Sequence, residues 1–285
     1  ADMSGMLYYK CVLTANTNVS LAMNAQIKVK RGGGTTAQQD QVAEHPIKYE
    51  EVSLYNPQNG FATFLIPAVL ILIIQQTLLL GVGMAAGTAR EHNKFRNLVP
   101  ITRHHRGLLR IVLSKGLAYF MVYIPLSVYI LGVIPHLFHL NQIGNPWDIA
   151  FFTLPFLIAS VLFSMTVSAF VRHREMCIML IVFTSVPLLF ISGLSWPGSA
   201  VPPAWKAISY IFPSTFGING FVAINNMGAP LGDVQHDWYM LWVQAAIYFI
   251  TTCTVYKASI TRSRQRIIEA WSKLRNKRMS NCKLK

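Results

Sequence analysis

The chain has 285 residues, of which 53% are hydrophobic and 13% charged, and carries a formal charge of +14. Its uncharged runs are too long for an ordinary soluble core, and its cations flank those runs instead of forming one face interleaved with aromatics. That layout sets nucleic-acid binding aside in favour of lipid contact and membrane topology. The four cysteines, Cys11, Cys177, Cys253 and Cys282, have no metal-ligand spacing and no disulfide framework.

Residues 1–60 are polar and mixed. A rough alternation of β-formers over Val12–Val29 (Val19, Leu21, Met23, Ile27) predicts one or two strands. Thr35–Glu44 reads as a loop or short helix, and Tyr55–Gly60 as turn chemistry. The expectation is a short mixed α/β remnant of an extracytoplasmic domain. The sequence starts at Ala1, and no apolar span precedes Phe61. We therefore expect an upstream membrane segment and read the sequence as a C-terminal portion.

Five spans follow, at about 61–87, 115–135, 149–171, 176–194 and 238–256. About 20 apolar residues are needed to cross a bilayer, and a mid-bilayer charge costs roughly 2.5–3.5 kcal/mol on insertion scales. The first span carries Gln75 and Gln76 mid-way and the small-residue spacing Gly83-x-x-x-Gly87. The glycines suit close helix packing. The glutamines suit interhelical hydrogen bonding and the lining of a pathway equally well.

Nineteen of the 25 lysines and arginines fall in Arg90–Lys115, Arg172–Arg174 and the tail after Tyr256. Such clusters collect on the cytoplasmic side. The segment from Thr88 to Ser114 is amphipathic and interrupted at Pro100, which predicts two short helices, one along the membrane and one leading into the second span. The tail at 257–285 has apolar residues at helical spacing. It reads either as an amphipathic helix on the inner leaflet or as an extension of the last span.

Residues 201–228 are long enough to cross, but Phe212-Pro213 divides them. Each half reaches roughly 18–21 Å, short of the roughly 30 Å core. A full crossing would also place the cationic tail outside. The expectation is a re-entrant pair of half-helices, whose break must be shielded by other protein. The fold class is thus an all-α polytopic membrane protein with five spans and a re-entrant outer pair.

The span centres carry no Asp, Glu, Lys or Arg, which disfavours an ion-gradient mechanism. No phosphate-binding loop and no hydrolase or zinc-protease motif is present. His136 and His139 are three apart, but no further ligand accompanies them, so no metal and no catalytic residue is expected. A polytopic membrane enzyme acting on lipid would have only Ser214, Asn219 and His236 to draw on, and a membrane scaffold is a third reading.

Thr88-Ala89-Arg90-Glu91, Leu98-Val99-Pro100-Ile101 and Ser114-Lys115 resemble the first cytoplasmic loop of ABC-2 type permeases. Phe212–Gly217 with Phe221, Ile224 and Gly228, preceded by Ser192–Pro197, resembles that family's re-entrant outer segment. Two positions depart from the family pattern: Ser114 stands for its glycine and Val99 for its threonine.

The resemblance, closest to multidrug-efflux permeases of the bacterial inner membrane, implies an exporter subunit without catalysis. Two permeases, as a homodimer or heterodimer, would bind separate ATPase subunits that hold ATP and magnesium, with a periplasmic adaptor as a further partner. It implies a coupling role for Arg90, Glu91, Arg96, Pro100, Arg103 and Lys115. It assigns Pro213, Ser214, Phe216, Gly217 and Gly228 to the re-entrant segment.

Overall fold

A computed structural model describes residues 6–32, 61–91, 107–140, 142–171, 173–192 and 202–283. The chain divides into two compact units, Ala1–Phe61 and Ala62–Lys285. In the first, α1 spans Met6–Gly32. This corrects the expectation of strands at Val12–Val29. No Gly or Pro interrupts Met6–Arg31, and Leu21, Ala22, Met23, Ala25 and Gln26 favour helix. A lone strand would have no ladder partner, whereas a helix satisfies its own backbone. Lys30 and Arg31 in the last turn complement the helix dipole. Residues 35–44 and 55–60 lie outside the described residues.

The second unit is a helical bundle with no strand among the described residues. It contains α2 (Phe61–Glu91), α3 (Gly107–Val128), a π-helical turn (Tyr129–Val133), α4 (Ile134–Leu137), α5 (Pro146–Ser168) and α6 (Arg174–Ile191). The short α7 (Pro203–Ser209), α8 (Pro213–Met227) and the long α9 (Gln235–Lys283) complete it. Five stretches are long and apolar enough to cross a membrane: Leu65–Glu91, Gly107–Leu137, Pro146–Ser168, Arg174–Ile191 and Gln235–Ala258. The pair α7 and α8 is bent by 91°. The chain is thus an all-α polytopic membrane protein.

The helices differ in what they bury. The cores of α2 and α5 are enclosed, with Ile71, Ile74, Phe152 and Phe156 fully covered together with Ile218, Phe221 and Ile224 of α8 and Leu241 of α9. By contrast α6 exposes Met179, Val182, Phe183 and Val186, and α3 exposes Leu117, Met121 and Val122. Exposed apolar faces of this kind suit a lipid solvent.

Hydroxyls tie α5 to α9. Thr166 Oγ1 and Thr252 Oγ1 lie 2.8 Å apart, and Thr252 Oγ1 also donates to the Leu162 carbonyl at 3.2 Å. The Trp238 indole N–H donates to the Phe151 carbonyl at 3.4 Å. Trp238 meets Phe151 and Thr252 meets Thr166, so the two helices run parallel. Arg90 meets the far end of α5, as described below, so α2 runs the same way.

The π-turn displaces the regular hydrogen-bond ladder. Gln142 returns from the loop, and its Nε2 donates to the Leu131 carbonyl at 3.0 Å. Gln142→Leu should lower stability by about 1 kcal/mol, the net value of one hydrogen bond. Thermal unfolding of the full chain in detergent reads this. An unchanged midpoint would show that Gln142 is dispensable to the turn.

The backbone of α9 continues without a break from the span into the basic tail, ending at Lys283.

Candidate functional site

The site forms where α2 ends against the turn between α5 and α6. Two glycines let α2 approach. A Cβ at Gly87 would stand 2.8 Å from the Arg174 backbone nitrogen and 2.9 Å from its Cα. A Cβ at Gly83 would collide with the Cys177 Sγ. The small-residue spacing in the first span thus packs against the start of α6.

That approach brings Arg90 and Glu91 to the two helix ends that meet at the turn. The last carbonyls of α5 and the first N–H groups of α6 have no intrahelical partners. Arg90 Nη1 donates to the Ser168 carbonyl at 2.9 Å and also to the Val171 carbonyl. Glu91 Oε1 accepts from the Arg174 backbone N–H at 2.9 Å. The N-cap residue of α6, His173, makes no side-chain cap of its own, so Glu91 supplies the cap from 83 residues away in sequence.

Each charge suits its pole. A cation is favoured at a helix C-terminus and an anion at an N-terminus. Glu91 also lies 3.7 Å from Arg174 Nε and 3.9 Å from His173 Nδ1. Arg174 and His173 are well exposed in those pairs, so the backbone hydrogen bond carries more of the energy than the ion pairs. Lys115, on α3, places its Nζ 5.7 Å above the Tyr256 ring of α9. Arg96, Pro100 and Arg103 lie outside the described residues.

Gln75 and Gln76 are buried in α2. Gln76 Nε2 donates to Thr184 Oγ1 of α6 at 3.4 Å, an interhelical contact. Gln75 Oε1 and Gln76 Oε1 have no hydrogen-bond partner among the described residues.

The bent pair carries the other sequence-predicted residues. Phe212 is the N-cap of α8 and Pro213 follows at its first position, where a missing N–H costs nothing. Ser214, Phe216 and Gly217 are buried. Phe216 stacks on Tyr210 with ring centroids 5.3 Å apart. Gly217 lies against Phe156, where a Cβ would stand 2.6 Å from the ring. Gly228 ends α8 in the left-handed region at φ 68° and leaves the Asn225 carbonyl to accept from Ile143 N–H at 2.9 Å.

A break in a buried helix frees backbone carbonyls, and here side chains take them up. Thr215 Oγ1 donates to the Ser209 carbonyl at 2.7 Å and Gln244 Nε2 to the Tyr210 carbonyl at 2.6 Å. The Tyr248 hydroxyl donates to the Ile211 carbonyl. Sequence reasoning did not single out Gln244 and Tyr248. Their signal is two polar residues four apart, on one face of the last span.

The arrangement offers mechanics rather than bond-making. Charged side chains join one helix end to a distant turn, and a bent pair is held inside a bundle. Neither the curated proteins nor the solved structures give a match to this chain. Residues 2–253 match the profile of the ABC-2 family transporter proteins. Nearly the whole bundle lies inside that match, and the chain belongs to this family as a membrane subunit of an ABC transporter.

Proposed function

We propose that this chain is the permease of an ATP-driven exporter, moving a hydrophobic or amphipathic substrate outward across a bacterial inner membrane. The observation that carries the reading is the double cap at Arg90 and Glu91. The segment that follows Glu91 holds Arg96, Pro100 and Arg103, and these are the proposed contacts to a separate ATPase subunit. Movement of that segment would reach Arg90 and Glu91 first. They are bonded to the α5–α6 turn, so α2, α5 and α6 would be displaced together.

In this reading Glu91 serves the turn, because its carboxylate is already engaged by Arg174. The Arg90 end is cytoplasmic, as its cation clusters require, and the bent pair faces outward. The bound nucleotide and its magnesium belong to the ATPase, and two permeases form the pathway. A multidrug-type substrate range and a periplasmic adaptor are the finer expectations of the same reading.

Purification of the tagged full chain from its native membrane tests it. An ATP-binding subunit should copurify and hydrolyse ATP. Arg96→Ala with Arg103→Ala should lower that subunit's recovery by about tenfold, the value of one or two charge-assisted contacts. Recovery of no ATPase, or recovery unaffected by the double substitution, would overturn the partner and the contact assignments respectively.

A further inference from the structure

At the end of the bundle away from Arg90, a cavity of about 350 Å³ opens between α6, the bent pair and the start of α9. Its polar lining carries charges of both signs on separate helices. Lys206 stands on α7 and makes no ion pair among the described residues. Asp237 stands in the first turn of α9, where its Oδ1 lies 3.4 Å from His236 Nδ1 and its side chain is 22% exposed. The stacked rings of Tyr210 and Phe216 line the same space, and Phe216 lies 6.4 Å from the His236 ring.

These groups select by exclusion. An anion entering alone would meet the Asp237 carboxylate, and a cation alone would meet the Lys206 ammonium. A molecule carrying both charges satisfies each without leaving a like-charge contact. The aromatic rings suit the short methylene bridge between such charges. Ser192 and Asn219 add hydrogen-bonding groups to the lining. Phe190, Ile208 and Ile211, each next in sequence to a lining residue, are exposed and apolar.

We propose that this cavity binds a zwitterion that joins a phosphate to a primary ammonium, the chemistry of a phosphoethanolamine head group. Lys206 takes the phosphate and Asp237 the ammonium. The assignment concerns binding alone, so it stands or falls apart from the transport reading above.

Native mass spectrometry of the full chain in detergent tests it, with phosphatidylethanolamine and phosphatidylglycerol as probes. Phosphatidylglycerol has the phosphate but no ammonium. The unaltered chain should retain phosphatidylethanolamine about tenfold better, the value of one charged hydrogen bond. Asp237→Asn should abolish that preference, weakening phosphatidylethanolamine retention and raising that of phosphatidylglycerol as the like-charge contact is lost. Lys206→Gln should weaken both lipids. Lys206→Glu, on an exposed helix where folding is not at stake, should weaken phosphatidylglycerol further.

Soluble glycerophosphoethanolamine separates the sources. Displacement of the lipid shows that the head group suffices and that a free zwitterion is an adequate ligand. A lack of displacement assigns the site to a membrane lipid. No preference in the unaltered chain, or a preference that survives both Asp237→Asn and Lys206→Glu, would overturn the proposal.

Discussion

Arg90→Ala with Glu91→Ala should release the α5–α6 turn and lower the stability of the chain by about 2–4 kcal/mol. Loss of an N-cap costs about 1 kcal/mol, and loss of a hydrogen bond to a charged group about 1.5–3 kcal/mol. The effect is local before it is global. The Arg174 N–H loses its acceptor, and the Ser168 and Val171 carbonyls lose Arg90 as a donor. Amide exchange at Arg174 and in the following turn should therefore accelerate by at least about tenfold, as expected of a released cap.

Controls separate the charge from the cap. Glu91→Gln keeps a carbonyl acceptor and should recover most of the protection at Arg174. Arg174→Ala removes a side chain but keeps the backbone N–H, so it should cost little, as exposed ion pairs do. Equal loss in Glu91→Gln and Glu91→Ala would show that ion pairing, not capping, holds the turn. Unchanged exchange in the double variant would refute the clamp.

Gly217→Val should be strongly damaging to the bent pair. A Cβ alone would stand 2.6 Å from Phe156 and 3.2 Å from Ile71. Both neighbours are fully buried, so neither can retreat into solvent. Overpacking costs typically 1–3 kcal/mol, and a β-branched side chain at this contact should reach about 3 kcal/mol or more. Phe156→Leu in the same chain makes room and should return part of that loss, a coupling of about 1 kcal/mol or more between touching residues. Thermal unfolding of the single and double variants reads the cycle, and additive effects would mean that Gly217 does not pack on Phe156.

The parts of this fold that were legible are those set by composition. A bilayer demands an apolar run of a given length, and five helices long and apolar enough to cross stand where five runs were read, although the second begins at Gly107 and takes in Arg110 and Lys115. The break at Phe212-Pro213 was legible because proline removes a donor and its half-helices are too short to cross. The helix at Met6–Gly32 was missed because its β-branched residues alternate loosely, while helix formation there depends on the absence of any interrupting residue.

The site was legible only as residues. Arg90 and Glu91 stood out as charges at the end of a span, but their partners, Ser168, Val171 and Arg174, are about 80 positions on. A backbone carbonyl has no signature in sequence, so a cap made across the bundle is invisible there. The same holds for Gln244 and Tyr248, whose acceptors are the carbonyls of Tyr210 and Ile211.

The unbroken α9 places its tail under an angular constraint. Gln244, Tyr248 and Thr252 fix the rotation of its upper half about the helix axis. Each residue advances a helix by about 100°. Inserting one residue near Lys257 would thus turn the backbone of the helix beyond it by a quarter-turn or more around the axis. Inserting seven, close to two full turns, would return it to nearly the same bearing about 10 Å farther along. The length of helix between Thr252 and the tail, and not the tail's composition alone, accordingly sets the bearing of the tail's backbone about the axis.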